Sequence, residues 1–177
     1  MTKDKFLNQK TFWNKMQNLK YDIIYYTLHF NRCVKISKTI KYIVIFLTAL
    51  SFGLLMTFSF LKAILYVCGI LGIVLQIFNA VSDELPFELR KNDLREMSNK
   101  LDALYHEMEM DWLKIANAEI YYEEIESKIK DYGVRQREIQ NNYLKNDFLP
   151  EKEKIKNLAD IKLEEYFKNL LKETNNE

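Results

Sequence analysis

An apolar segment of 41 residues, from Tyr42 to Ser82, contains a single charged side chain, Lys62, near its midpoint. One continuous helix of that length would extend about 60 Å, roughly twice the thickness of the hydrocarbon core of a bilayer. Two helices joined by a tight turn fit that thickness. The segment 42–82 therefore predicts a transmembrane hairpin with spans at 42–60 and 64–82, and with Lys62 at the turn.

The charged residues are segregated on the two sides of this segment. Residues 1–41 carry nine Lys or Arg and two acids, whereas residues 83–177 carry sixteen Lys or Arg and twenty-three acids. Basic residues adjoin both spans, which by the positive-inside rule places the N- and C-termini in the cytoplasm. These residues are Arg32, Lys35, Lys38, Lys41, Arg90, Lys91 and Arg95. The two flanks, of net charge +7 and −7, are expected to pack against each other, with membrane lipids around the hairpin.

Helix is the expected structure throughout, because the chain has only four glycines and two prolines and lacks the alternation of strands. The predicted fold class is all-α. In residues 1–41, apolar side chains recur in steps of three and four, which predicts an amphipathic cytoplasmic helix that can continue into the first span. These side chains are Phe12, Met16, Leu19, Ile23, Tyr26, Phe30 and Cys33.

Residues 83–148 predict one long cytoplasmic helix with a coiled-coil seam. One heptad column is Leu94, Leu101, Met108, Ile115, Tyr122, Ile129, Gln136 and Tyr143, and the other is Met97, Leu104, Asp111, Ala118, Ile125, Tyr132 and Ile139. Gly133 is its expected weak point. Asp111 and Gln136 interrupt the seam, as residues that fix the register of an oligomer do. The pattern leaves open whether the seam faces another copy, the N-terminal helix or the last helix.

A short return helix is predicted in the last part of the chain, 149–177. Leu149-Pro150 ends the long helix, because proline cannot continue its hydrogen bonding. Apolar residues from Ile155 to Leu171 then recur at helical spacing, and the short break favours an antiparallel return.

One face of the second predicted span carries a polar stripe, which we define as Gly69, Gly72, Gln76 and Asn79. Glycines permit close approach of a neighbouring helix, and carboxamides facing lipid would lack hydrogen-bond partners at a cost of several kcal/mol. The stripe must therefore meet protein or water. It either packs on the Ala49, Gly53 and Thr57 ridge of the first span or lines a path between several copies.

The residue inventory argues against an enzyme. His29 and His106 are the only histidines and lie far apart, and the sequence has no His-x-x-x-His or Cys-x-x-Cys spacing of metal ligands. Glycine-rich phosphate loops and nucleophile elbows are missing from the sequence, so no catalytic, cofactor or metal residue is predicted. Nucleic acid is not an expected partner, since the basic arm adjoins the membrane and the remaining cytoplasmic part is acidic.

The order of segments resembles the two-transmembrane effector group called SLATT: an N-terminal helix, a closely spaced hairpin and an extended cytoplasmic helix. The local sequence also resembles a set of small bacterial proteins. The shared residues are Phe12-Trp13, Tyr25-Tyr26, Gln76, Leu85-Pro86-Phe87-Glu88-Leu89-Arg90, Glu109-Met110-Asp111-Trp112 and Leu149-Pro150. The resemblance implies a multi-pass protein of the bacterial inner membrane that forms pores or perturbs the membrane in antiviral or stress defence.

The expected mechanism is self-association of the cytoplasmic helices, which clusters the hairpins. The chain departs from the SLATT pattern in having no sensor domain of its own, so a separate sensor protein or the coiled coil itself would supply the trigger. The alternatives are a membrane-anchored scaffold or adaptor without permeation, and a helper subunit of a transporter.

Overall fold

The computed structural model describes residues 3–58, 62–81, 86–144, 149 and 152–173. Within these ranges no strand occurs, and the prediction of an all-α fold is confirmed. Five helices are present: α1 (Lys3–Phe58), α2 (Lys62–Val81), α3 (Pro86–Ala116), α4 (Tyr122–Leu144) and α5 (Glu153–Glu173).

The chain divides into two compact units, and the divisions differ from those expected from the sequence. Residues 1–29 and 93–177 form the first, here called the bundle unit, and residues 30–92 form the second, here called the hairpin unit. Helix α1 is continuous through position 41, where the sequence analysis placed a domain boundary. The first 29 residues therefore belong to the same unit as the last 85, rather than to a separate N-terminal domain.

In the bundle unit, α3 runs antiparallel to both α1 and α4. Along α1 and α3, Gln9 donates to the carbonyl oxygen of Ile115 at 3.2 Å, and Thr27 and Ser98 share a hydrogen bond of 2.8 Å. Between α3 and α4, Arg135 binds Glu107 through two hydrogen bonds of 2.7 and 3.0 Å. The seam residues of α3 are buried within the single chain, so in this structure they face other helices of the same chain.

Helix α5 completes a four-helix arrangement. Its Phe167 contacts the Trp13 ring at a centroid distance of 5.3 Å, and its Tyr166 donates to Glu109 on α3 at 3.1 Å. The neighbours of Tyr21 on α5 include Asp160. Since the contacts on α5 move from 167 to 160 as those on α1 move from 13 to 21, α5 runs antiparallel to α1.

The predicted single helix over 83–148 is wrong, because the chain turns between α3 and α4. The end of α3 has the hydrogen bonds of a Schellman motif: Glu119 N donates to Lys114 O at 2.9 Å and Ala118 N donates to Ile115 O at 3.1 Å. Ala118 has a φ of 60°, in the left-handed region where glycine is usual. Gly133, the expected weak point, lies within α4.

In the hairpin unit, α2 packs on α1 through a few small or aliphatic side chains. Cys68 Sγ donates to the carbonyl oxygen of Ser51 at 3.6 Å, and Leu75, two helical turns further, is also buried. Where α3 enters this unit, buried Glu88 accepts hydrogen bonds from Ser37 on α1 and from Lys91. The hydrogen bonds from Lys91 and then Ser37 hold the pKa of the Glu88 carboxyl below its ordinary value.

None of the helices, over the residues described, combines the length and apolar character that crossing a bilayer requires. The two predicted spans, 42–60 and 64–82, are therefore not established and stay a prediction. Of the predicted turn at 61–63, residue 61 lies outside the described residues, as does Pro150.

Candidate functional site

The hairpin unit exposes large apolar side chains on both α1 and α2. On α2, Tyr66, Ile70 and Ile77 are 74%, 65% and 61% exposed, and on α1, Phe46 is 66% exposed. The other exposed large apolar side chains of this unit are Ile36, Tyr42, Ile43, Ile45, Leu50, Phe52, Val67, Ile73 and Val74. Soluble monomers rarely expose contiguous apolar patches larger than a few hundred Å², and larger patches mark contacts with protein or membrane.

The polar stripe is not the face through which α2 packs on α1. Gly69 and Gln76 are exposed, and Gly72 is half-buried. A Cβ added at Gly69 or Gly72 would meet no atom within 4 Å, and the same holds for Gly53 on α1. Among the described side chains, packing of the stripe on Ala49 and Gly53 is thus not observed, whereas Cys68 and Leu75 of α2 are buried. The side chain of Thr57, the third residue of that ridge, is not among them.

For two residues of the predicted hairpin, Lys62 and Asn79, the structure describes the backbone alone. Lys62 is the first residue of α2, and Asn79 lies in its last turn, but their side chains are outside the description. The roles predicted for them, at a turn and in the polar stripe, stay predictions.

Asp111 binds residues of its own chain, and its predicted role in oligomer register stays a prediction. Its carboxylate accepts hydrogen bonds from Lys128 Nζ at 2.7 Å and from the Tyr132 hydroxyl at 2.9 Å, both on α4. Burial raises the pKa of Asp111, but the two hydrogen bonds outweigh it and hold the pKa below the ordinary value. Asp111 therefore sets the register between α3 and α4.

Gln136 likewise has its partner within the chain. Its Nε2 donates to Asp22 on α1 at 2.8 Å, and Gln140 Nε2 donates to the same carboxylate oxygen at 3.0 Å. Burial raises the pKa of Asp22 above its ordinary value despite these two bonds. Among the described residues, the buried Oε1 of Gln136 has no hydrogen-bond partner. Gln136 thus joins α4 to α1, through an acid that the heptad pattern alone did not single out.

We expect Asp22→Asn to stabilise the bundle unit at neutral pH. Because the folded pKa of Asp22 lies above the unfolded one, its ionisation makes stability fall as the pH rises from the ordinary aspartate range through the folded pKa. An Asn amide keeps an acceptor for the two glutamines and can donate to the free Gln136 oxygen, a gain of about 1 kcal/mol. Denaturant unfolding at several pH values measures both effects.

The control is Asp160→Asn, at an exposed position of α5. It should leave the free energy of unfolding within about 0.5 kcal/mol of wild type. A loss of stability in Asp22→Asn at pH 7 would contradict the interpretation of Asp22 as a buried, destabilised carboxylate.

The sequence analysis missed an open cavity in the bundle unit, between α1, α3 and α5. Its lining includes Trp13, Met16, Tyr105, Glu109 and Trp112. Helical spacing places Met16 on the apolar face of α1, but the open space arises only where three helices separated in the sequence meet. Elsewhere in the described residues, no group of three or more His, Cys, Asp or Glu side chains is arranged to hold a metal ion.

No protein-family model, curated protein or solved structure matches this chain. The resemblance to the SLATT group is therefore an expectation from the sequence, and the functional argument rests on the geometry of this chain.

Proposed function

We propose that the protein is a two-span effector of the bacterial inner membrane, in which residues 42–82 of the hairpin unit lie in the bilayer and the bundle unit lies in the cytoplasm. The observation that carries the proposal is the exposure of large apolar side chains on both helices of the hairpin unit. In water this surface would be costly, at about 25 cal/mol for each Å² of apolar area, whereas lipid chains cover it without that cost. The 41-residue segment with Lys62 as its only charge agrees with this placement.

The polar stripe supplies the reason for self-association. Gln76 is exposed in the single chain, and an amide without hydrogen-bond partners in hydrocarbon costs several kcal/mol. Gly69 and Gly72 leave space beside it for the backbone of another helix. In the proposed mechanism, copies of the hairpin associate through this stripe, and the amides line a hydrated path through which ions leak.

The test is the double variant Gln76→Leu with Asn79→Leu. Expression of wild type in bacteria should collapse the membrane potential, reported by a voltage-sensitive dye, and should arrest growth. The double variant should insert to the same level and leave the potential near that of cells without the protein, because it has no amide to hydrate the path.

The matched control is Thr48→Leu, which also replaces an exposed polar side chain with leucine but on α1, where the hydroxyl donates to Val44 O at 2.8 Å. It should leak like wild type. Leakage that persists in the double variant would show that the polar stripe does not line the path. A membrane potential that stays unchanged when wild type is expressed would contradict the effector function.

The second candidate is a membrane-anchored adaptor, favoured by apolar side chains on the surface of the bundle unit, of which Met110, Leu113 and Ile161 are 60%, 57% and 54% exposed. Replacing 42–82 with an unrelated two-span hairpin separates the candidates. This exchange keeps both parts of the bundle unit, residues 1–29 and 93–177. An adaptor would retain activity in this exchange, and the effector would lose it.

A further inference from the structure

The cavity of the bundle unit has a volume of about 790 Å³. That volume lies within the range of about 300 to 1,000 Å³ that is typical of small-molecule sites. The cavity is open to solvent and its lining is predominantly apolar. Its residues come from three helices of one unit, so the site exists in a single chain.

Aromatic rings form a large part of the wall. The rings of Trp13 and Trp112 have centroids 5.1 Å apart and are tilted by 44°, and Tyr105 lies on the same wall. Indole and phenol faces carry negative electrostatic potential, which attracts organic cations and disfavours anions. The remaining wall includes Met16, Leu113 and Leu170, which offer contacts to an apolar group.

One carboxylate of the lining, that of Glu109, is fixed in place. It accepts a hydrogen bond from the Tyr166 hydroxyl at 3.1 Å and pairs with His106 Nδ1 at 2.9 Å. Lys10 also lines the cavity but is exposed, and its long side chain can keep the ammonium group in water. The fixed charge of the cavity is thus negative and lies beside the aromatic wall.

We propose that this cavity binds an organic cation with an apolar or aromatic body. The cationic group lies against the indole faces and near Glu109, because Lys20 Nζ already lies 4.3 Å from the centroid of the Tyr105 ring. The body lies among Met16, Leu113 and Leu170. This binding requires only the bundle unit and does not depend on membrane insertion or on leakage.

The chain carries its own probe for this site, because its only two tryptophans, Trp13 and Trp112, both line the cavity. The full chain in an uncharged detergent is titrated with phenyltrimethylammonium, with the neutral isostere tert-butylbenzene, and with the anion benzenesulfonate. Saturable change in tryptophan fluorescence is expected for the cation, with an affinity about tenfold above that for the anion. Equal affinity for the cation and the anion, or no saturable change with the cation, overturns the proposal.

Substitution of Glu109 tests whether its carboxylate is responsible for the preference of the cavity for cations. Glu109→Gln should lower the affinity for phenyltrimethylammonium about tenfold and leave that for tert-butylbenzene unchanged, since only a charge is removed. Glu138→Gln, an equal charge change at an exposed position of α4, should have no effect. Unchanged cation affinity in Glu109→Gln contradicts the assignment.

Two more variants keep the test decisive if Glu109→Gln impairs folding. Lys10→Gln removes a like charge from the rim and should increase the affinity for the cation. Leu113→Phe adds volume at an exposed side chain of the wall and should weaken binding of phenyltrimethylammonium and of tert-butylbenzene. If neither variant changes the affinity, the fluorescence change does not come from this cavity and the proposal fails.

Discussion

Phe12→Ala is expected to lower the free energy of unfolding of the bundle unit by about 3 to 5 kcal/mol, the usual cost of deleting a buried phenyl ring. Phe12 is fully buried, and its ring lies 6.2 Å from that of Trp112 on α3 and 6.0 Å from that of Tyr132 on α4. One side chain of α1 thus contacts two other helices. Denaturant unfolding of the full chain in mild detergent, followed by tryptophan fluorescence, measures the loss, because both tryptophans lie in this unit.

Leu7→Ala is the control on the same helix. Leu7 is 60% exposed, so its truncation should change the free energy of unfolding by no more than about 0.5 kcal/mol. Equal losses in the two variants would mean that the N-terminal part of α1 does not pack as described.

The position of Phe12 shows what the periodicity of the sequence could and could not predict. Steps of three and four identified one helical face of seven residues. Five of them, Phe12, Met16, Leu19, Ile23 and Tyr26, are buried, and the last two, Phe30 and Cys33, are half-buried. The spacing of apolar residues does not indicate which other helices pack against this face of α1. The sequence analysis expected the basic arm to pack against the acidic C-terminal part on grounds of charge, but the spacing did not show that α3, α4 and α5, which follow more than 60 residues later, would all contact it.

The sequence analysis missed the turn between α3 and α4 because the residues of the turn do not carry the usual signals of a helix end. A helix end is usually signalled by glycine or proline, and Asn117 to Tyr121 contains neither. Ala118 takes the left-handed conformation that a Schellman motif needs, at a cost of roughly 1 to 2 kcal/mol. The heptad columns continue through this turn, and they describe two antiparallel helices as readily as one long helix, because both bury the same apolar faces.

For the polar stripe, spacing predicted which side chains share a face of α2, and the structure leaves Gly69 and Gln76 of that face exposed. What covers the stripe cannot be derived from one chain, because the hydrogen-bond partners of its amides belong to another molecule or are water.

The cavity could not be predicted from the sequence for a different reason. Its walls come from the two ends of the sequence, and helical periodicity carries no information on how well three such faces fill the space between them.

Asp111→Ala is expected to lower the free energy of unfolding by about 2 kcal/mol at pH 7, because the buried Tyr132 hydroxyl and the Lys128 ammonium group lose their acceptor. A double-mutant cycle with Tyr132→Phe, which removes only the hydroxyl, isolates the bond between Asp111 and Tyr132. The coupling free energy should be about 1 kcal/mol. A coupling near zero would show that the two side chains act independently and that this bond does not hold α3 and α4 in register.

The contribution of Asp111 should also depend on pH in a defined direction. Its folded pKa is lower than the ordinary value, so the carboxylate stabilises the fold in full above the unfolded-state pKa of about 4. As the pH falls from about 4 through the lowered folded pKa, the stabilisation disappears.

Asp22 acts in the opposite sense, since its raised folded pKa makes protonation favour the fold. The difference in stability between wild type and Asp111→Ala should therefore shrink as the pH falls below about 4. The difference between wild type and Asp22→Asn, of opposite sign, should shrink at higher pH, as the pH falls from the raised folded pKa of Asp22 towards about 4. Unfolding of the three proteins between pH 3 and 8 distinguishes the two acids, and a constant difference for Asp111→Ala would mean that its charge does not carry the effect.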